Sequence, residues 1–550
     1  MSSLSSREKP PKVGPSVSTR ATLENGIPQY MGRSGDDLIF AITCTATAAF
    51  LLFGYDQGVM SGIISAPQFF RVFPDLNPEN VGHTSASTMQ AFYTAIYEVG
   101  CFFGALFALL YGNKVGRRRN MYIGASFVTI GTIIQITSTP GHLSGHQFVI
   151  GRIVTGFGNG LNTATVPSWQ AECSKPKNRG LHICIEASMI AIGTVTAYWI
   201  DFGLSFVDSS LSWRLPIGLQ IVFALLLASG VYFLPESPRF LLSTGQSEEG
   251  QLVVAALMNQ PVDSEITQQE KRVIIEALKG DNPSIRDVLT GGPSQHLRRT
   301  IIGASTQFFQ QIGGCNAVIY FAPVIYQTYI GLDRRLSLIL GGVNSTVYAL
   351  SAFLSYLMIE RLGRRKMFLW GTAGQAVSMF LAMACLIPYN VYHDTENKAT
   401  YGAVAGLFLF LIAFGCTWLE LPWLLPAEIN PNAIRTNANA ISTMSNWGWN
   451  FAVVMWTPPM LDRWGGFGTF LFFGLINLTF IPFIYIFYPE TKGRSLEEID
   501  VIFAKAYCTG EWYVKVANEM PKLTAAEIEE EARRWGLAEG GNVRGAVCKV

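Results

Sequence analysis

Lys114-Val115-Gly116-Arg117-Arg118-Arg119 returns 247 residues later as Arg361-Leu362-Gly363-Arg364-Arg365-Lys366, each copy a short basic connection between two long apolar runs. Two further pairs keep nearly the same offset. Pro235-Glu236 recurs as Pro489-Glu490 after 254 residues, and Glu172 with Arg179 recurs as Glu428 with Arg435 after 256. Three agreeing offsets mark an internal duplication. With six helices per copy, both copies of the basic motif fall on the same face of a membrane, so the repeat is parallel and any polar site shared by the halves is expected between them near mid-membrane.

Outward from these motifs, the composition sets the solvent. The 550 residues are 49% hydrophobic and 14% charged, and the mean hydropathy is +0.28. That is too apolar for an ordinary soluble protein of several domains. A net charge of +1 with no extended basic patch excludes nucleic-acid binding. The nine cysteines, mostly single residues inside apolar runs, suggest small hydrophobes and neither a disulfide nor a zinc framework. Six scattered histidines offer no metal spacing, and no Walker loop is present, so neither a metal nor ATP drive is expected.

A helix crossing about 30 Å of hydrocarbon needs about 20 mostly apolar residues. Twelve such runs occur: 38–62, 89–112, 121–139, 148–171, 181–203, 215–235, 300–326, 336–359, 367–389, 401–427, 436–460 and 467–488. Lys114 to Arg119, Lys175 to Arg179 and Arg361 to Lys366 are the basic connections, so by the positive-inside rule both termini are cytoplasmic. The predicted architecture is an all-α membrane protein: a disordered tail over 1–37, a six-helix bundle over 38–235, a cytoplasmic connector over 236–299, a second bundle over 300–490, and a cytoplasmic tail over 491–550. The polar, Pro/Ser-rich N-terminus through Arg33 lacks the pattern of a signal peptide. The connector is too poor in apolar residues for its own core and is expected as short helices, one led by Ser264 and stopped at Gly280. Ala525 to Leu537 reads as an exposed helix.

A charge at the centre of a membrane helix costs roughly 2.5–3.5 kcal/mol, so each needs a partner or a task. Five are present: Asp56, Glu98, Arg152, Glu186 and Glu420. Asp56 and Arg152 fall at similar depth and can pair; the pair is either a proton switch or a permanent structural ion pair. Glu98 and Glu186 are further relay candidates, against the alternative of a carboxylate held by a Tyr hydroxyl or the backbone. Glu420 either binds cargo hydroxyls or snorkels. In the seventh run, Gln310, Gln311 and Asn316 stay close to one face at about 100° per residue. With Asn344, Asn446, Trp447 and Asn450 they supply the amide donors and acceptors that suit adjacent hydroxyls. Gly156, Gly158 and Gly160 imitate part of a dinucleotide fingerprint, yet inside an apolar helix they signal close packing. Asn344-Ser-Thr and Asn477-Leu-Thr match the glycosylation acceptor but fall within spans, where they should be unmodified.

Gly54-Tyr55-Asp56-Gln57-Gly58, Gly151-Arg152, Glu172 with Arg179-Gly180, Pro235-Glu236-Ser237-Pro238-Arg239, Gln310-Gln311 to Asn316, Glu360 to Arg365 and Pro489 to Gly493 together resemble the sugar porter family of the major facilitator superfamily. The resemblance covers about Asp37 to Ala506. Trp199 to Leu204 and Ser305 to Gln311 look closest to the fungal branch containing the yeast glycerol/proton symporter. It implies a proton-coupled carrier of a sugar or polyol in a fungal plasma membrane, functional as a monomer, with the proton as coupling ion and no cofactor. It assigns Asp56 and Arg152 to proton coupling, and Gln310, Gln311, Asn316, Asn344, Trp423 and Asn446 to cargo. Arg117, Glu172, Arg179, Glu236, Arg239, Glu360, Arg364, Glu428, Arg435 and Glu490 fall in the cytoplasmic charge network, which would hold the outward-open state. Two departures stand out: Ala187 where many hexose porters have Gln, and Asn113 where the motif usually has Asp. A passive facilitator and a non-transporting nutrient sensor are the alternative readings; only about 60 residues follow Pro489, short for a signalling tail. No nucleophile and base stand at catalytic spacing, so no enzyme is expected.

Overall fold

The computed structural model describes residues 21–24, 26–141, 143–174, 179–279, 285–392, 399–431 and 433–537. Helices occupy all twelve apolar stretches. In the first half they are Gly35–Ile63, His83–Val115, Arg117–Ile136, Ser144–Cys173, Arg179–Leu204, and a sixth made of Leu211–Gly218 and Gln220–Phe233. In the second, the seventh comprises His296–Ile312, Cys315–Val324 and a π-helical turn at Ile325–Tyr329. Arg334–Leu362 and Arg364–Cys385 follow, then a tenth made of Thr400–Ala413, a π-helical turn at Phe414–Trp418, and Leu421–Ile429. The eleventh and twelfth run on as Arg435–Phe487, broken where Gly465 leaves helical geometry (φ 64°, ψ −179°). Among the described residues, nine helices are long and apolar enough to cross a membrane, this double one included. The third and fourth fall outside that set. The fourth carries Arg152, Asn159, Asn162, Thr163 and Gln170, all buried, so its polarity faces protein and not lipid.

Small residues set the spacing. A Cβ at Gly156, Gly158 or Gly160 would come within 2.4 Å of a backbone oxygen on a neighbouring helix: Tyr97, Gly124 or Cys101. These three glycines are therefore the close-packing sites that the sequence suggests. Between the halves, the second helix packs on the Arg435–Phe487 helix, the fifth on the eighth, and the first on Cys315–Val324.

The duplicated motifs fold alike. Gly116 and Gly363 adopt φ 95° and 90°, a region that favours glycine, and each starts a helix abruptly. Glu236 accepts the Arg118 N–H at 3.0 Å, as Glu490 accepts the Arg364 N–H at 2.9 Å; each carboxylate caps a helix start from a distant connection. Arg118 in turn donates to the carbonyls of Val231 and Tyr232, both at 3.1 Å, and Arg365 to that of Tyr485 at 2.6 Å. Burial pushes the Glu236 carboxyl up, opposed by the N–H donors of Ser237 and Arg118.

Several expectations need correction. Thr22–Glu24 and Ile27–Gln29, placed in the disordered tail, pair as an antiparallel hairpin. It docks on the connector helix Ser247–Met258, with Val262 N–H donating to the Gly26 carbonyl at 3.3 Å and Ser34 to Asn259 at 2.8 Å. Cys508 is disulfide-bonded, against the expectation of unpaired cysteines. The connector does form short helices. Ser264 accepts the Thr267 N–H at 3.2 Å at the start of Glu265–Lys279; Gly280, its expected stop, lies outside the described residues. Ala525–Arg534 is a helix with a Thr524–Glu527 capping box. Arg299, fully buried, pairs with Asp500 and ties the C-terminal segment to the seventh helix.

Candidate functional site

Asp56 lies on the first helix, 1% exposed. Arg152 Nη1 donates to its Oδ1 at 2.7 Å, so the predicted pair exists. Gln220 Nε2 donates to the same oxygen at 3.1 Å. Gln220 was not singled out from the sequence, although a lone amide in the apolar run 215–235 carries the same signal that drew attention to the seventh helix. Arg152 has two further supports: its Nη2 donates to the Thr94 carbonyl at 3.0 Å, and its guanidinium sits 4.5 Å from the Tyr97 ring centroid. Such a cation–π contact strengthens when desolvated.

Glu98 accepts the Tyr320 hydroxyl of the second half at 2.8 Å, the Tyr-held arrangement foreseen as one alternative. Nearby, Ser61 donates to the carbonyls of Ile319 and Tyr320 at 2.9 and 2.6 Å. Tyr198 hydrogen-bonds Ser61 at 2.8 Å and also the Ile319 carbonyl. Trp199 donates to Thr346 at 3.0 Å, and Arg334 to the Ser65 carbonyl at 2.9 Å. These bonds join the two halves on the face away from the connector.

The amide cluster is real, but a helix break assembles it and not one helical face. The seventh helix stops at Ile312 and restarts at Cys315, with Asn477 holding the Gly313 carbonyl at 2.9 Å. Asn316 Nδ2 donates to Gln311 at 2.6 Å and to Asn450 at 2.7 Å. Asn446 Nδ2 donates to Gln307 at 2.6 Å and to Gln310 at 3.0 Å. Gln310 donates to the Trp418 carbonyl at 2.7 Å, and Gln307 to that of Pro422 at 2.8 Å. Gln310, Gln311, Asn316, Asn446 and Trp423 line one chamber with Phe53 and Gln57. Asn344 stands apart from that lining, donating to Tyr326 at 3.1 Å. Asn344 and Asn477 are both buried, out of reach of glycosylation. The chamber holds about 20 Å³, room for one water-sized molecule.

A second cavity, about 90 Å³, lies between the halves toward the connector. Trp423 lines both, and Glu172, Arg239 and Arg435 line the connector end of the second. Glu186 faces this cavity, 1% exposed and with neither carboxylate oxygen hydrogen-bonded among the described residues. Glu420 does not snorkel: it is fully buried and accepts the Ser188 hydroxyl across the halves at 3.2 Å. In the charge network, Arg117 grips Glu172 at 3.0 and 2.8 Å. Arg364 grips Glu428 at 2.7 Å and Glu360 at 2.9 Å, and Thr491 donates to Glu428 at 2.5 Å. Each of these pairs lies within one half. Arg435 donates to the Asn430 carbonyl at 3.2 and 3.1 Å. The Arg179 side chain lies outside the described residues.

The whole arrangement is a two-fold repeat with buried polar groups at the seam, ion pairs within each half at one face and cross-half bonds at the other. The family described as "Sugar (and other) transporter" matches residues 41–503. Sugar transporter STL1 of Saccharomyces cerevisiae is 46% identical over 92% of this chain and 88% of its own. Major facilitator superfamily transporter mfsA of Aspergillus fumigatus is 43% identical over 93% and 94%. Among solved structures, the proton:xylose symporter XylE bound to 6-bromo-6-deoxy-D-glucose superposes with a TM-score of 0.71 at 27% identity, over 85% of this chain and 100% of its own. XylE of E. coli in a partially occluded inward-open conformation gives 0.70 at 26%, over 84% and 100%. The chain is a multi-pass membrane protein with the major facilitator fold and belongs to the sugar transporter family.

Proposed function

We propose that this chain takes up a small polyhydroxylated molecule, a monosaccharide or glycerol, together with a proton, by alternating access across a fungal plasma membrane. The observation that carries the reading is the buried Asp56–Arg152 pair, held by Gln220 and standing beside the amide chamber. In this reading the twelve helices are twelve spans, both termini and the connector are cytoplasmic, and the carrier works as a monomer with the proton as coupling ion and neither ATP nor a resident cofactor.

Cargo hydroxyls replace the amide-to-amide bonds of Gln310, Gln311, Asn316 and Asn446. A proton from outside neutralises Asp56 and frees Arg152, whose charge stays supported by the Thr94 carbonyl and the Tyr97 face. Asp56 and Ser61 share one helix, so release of the ion pair is felt at the cross-half bonds that Ser61 and Tyr198 make with Ile319 and Tyr320. With those bonds formed and a cavity on the connector side, the conformation in this reading is closed outward and hollow inward. Glu186 stands along the exit. One proton falling through about 100 mV contributes roughly 2.3 kcal/mol, and each pH unit about 1.4 kcal/mol, enough for accumulation of several hundredfold.

The test is uptake of labelled glycerol, xylose and glucose in yeast lacking its own transporters, with external pH recorded and a protonophore control. External alkalinisation on adding one of them is the expected result. Uptake with no pH change would replace symport by passive facilitation, and no uptake of any would move the chain toward sensing.

A further inference from the structure

One cavity lies away from the seam between the halves. It is a groove of about 910 Å³ between the seventh and twelfth helices, closed at its connector end by the C-terminal segment. Its floor is aromatic, with Phe309 stacked on Phe480 at 4.3 Å between ring centroids. Ile301 and Phe483 on its walls are more than half exposed, so in a membrane the groove opens sideways onto lipid. Almost every polar atom around it is engaged: Ser305 bonds Tyr488 at 2.9 Å, Trp512 donates to the Ile486 carbonyl at 2.7 Å, and Tyr513 to that of Phe487 at 2.6 Å.

Arg298 differs in bringing a charge to the groove. It is exposed at the connector end of the groove, bonded to the Gln295 amide and stacked 5.4 Å from the centroids of both Trp512 and Tyr513. Among the described residues no carboxylate pairs with it; the neighbouring Arg299 takes Asp500. An uncompensated guanidinium framed by Trp and Tyr, above an apolar slot of lipid-chain character, has the polarity of an anionic amphiphile in the membrane interface.

We propose that this groove binds an anionic phospholipid of the leaflet on the connector side, its phosphate on Arg298 and one acyl chain along Phe308, Phe309, Phe480 and Phe483. A lipid seated there would bridge the second bundle and the C-terminal segment, so its binding links membrane charge to the docking of that segment. The site is separate from the cargo chamber and stands whether or not the cargo reading does.

The experiment uses full-length protein, delipidated and titrated with phosphatidylserine or phosphatidylcholine of matched chains, the bound copies being counted by native mass spectrometry. Phosphatidylserine should bind more tightly than phosphatidylcholine. Arg298→Gln should weaken phosphatidylserine about fivefold, the ratio that corresponds to about 1 kcal/mol for one basic group at an anionic surface, and leave phosphatidylcholine unchanged. Thr479→Trp, an exposed position on the groove wall, should weaken both by filling the slot while keeping the charge. Equal binding of the two lipids by the wild type, or undiminished phosphatidylserine binding by Arg298→Gln, would overturn the assignment; loss in Arg298→Gln alone, with Thr479→Trp unaffected, would overturn the place given to the acyl chain.

Discussion

Inside a membrane a carboxylate keeps its charge only with a partner, and Asp56 has two: the Arg152 guanidinium and the Gln220 amide on the same oxygen. That necessity made the Asp56–Arg152 pair readable from residue types and depth alone. Gln220 escaped notice because a single amide in an apolar run looks like an ordinary interhelical hydrogen bond until its partner is seen. The amide cluster was also legible as a set, although Asn344 donates to Tyr326, a partner that spacing does not encode. At this scale Gln310→Ala should raise KM for the transported polyol about fivefold, since a neutral hydrogen bond contributes about 1 kcal/mol. Initial rates over a range of cargo concentrations give the number, and an unchanged KM would remove Gln310 from the cargo contacts.

Helix ends carry the duplication more faithfully than helix interiors. Glu236 and Glu490 cap the third and ninth helices from connections 118 and 126 residues away, because a basic Gly-Arg-Arg start exposes N–H groups that a carboxylate satisfies. Glu490 accepts four backbone N–H groups, those of Arg364, Arg365, Thr491 and Lys492. Glu490→Ala should therefore lower stability by about 2 kcal/mol, at the scale of hydrogen bonds to a charged group, and Glu236→Ala should follow it in direction. Thermal unfolding in detergent measures both; a neutral Glu490→Ala would show that solvent replaces the carboxylate at no cost. The helices themselves were legible from apolar length. Their breaks are less plain: the seventh helix stops at Ile312 before Gly313 and Gly314, where Gly314 adopts φ 95° and Asn477 holds the Gly313 carbonyl. The Thr22–Gln29 hairpin was missed for a related reason, since its docking surface is the connector more than 200 residues later.

Across the whole molecule, the two bundles meet through few polar bonds at the face away from the connector, and each of those bonds should shift the balance between the two orientations. Tyr198→Phe removes the hydroxyl that bridges Ser61 and Ile319. It should favour the outward-open form several-fold, a bond of about 1 kcal/mol being worth about that ratio. Cys315 lines the amide chamber and is buried, so its labelling by a membrane-impermeant maleimide from outside the cell should rise in parallel; unchanged labelling would mean that the hydroxyl does not hold the halves together. The proposed coupling ties movement of the bundles to the charge on Asp56. Proteoliposomes test it most directly, with a pH gradient imposed and uphill uptake compared with counterflow exchange in wild-type and Asp56→Asn protein, using the polyol identified by the uptake panel. Asp56→Asn should abolish uphill uptake while leaving exchange near wild-type rates; concentrative uptake that survives the substitution would mean that coupling does not run through Asp56.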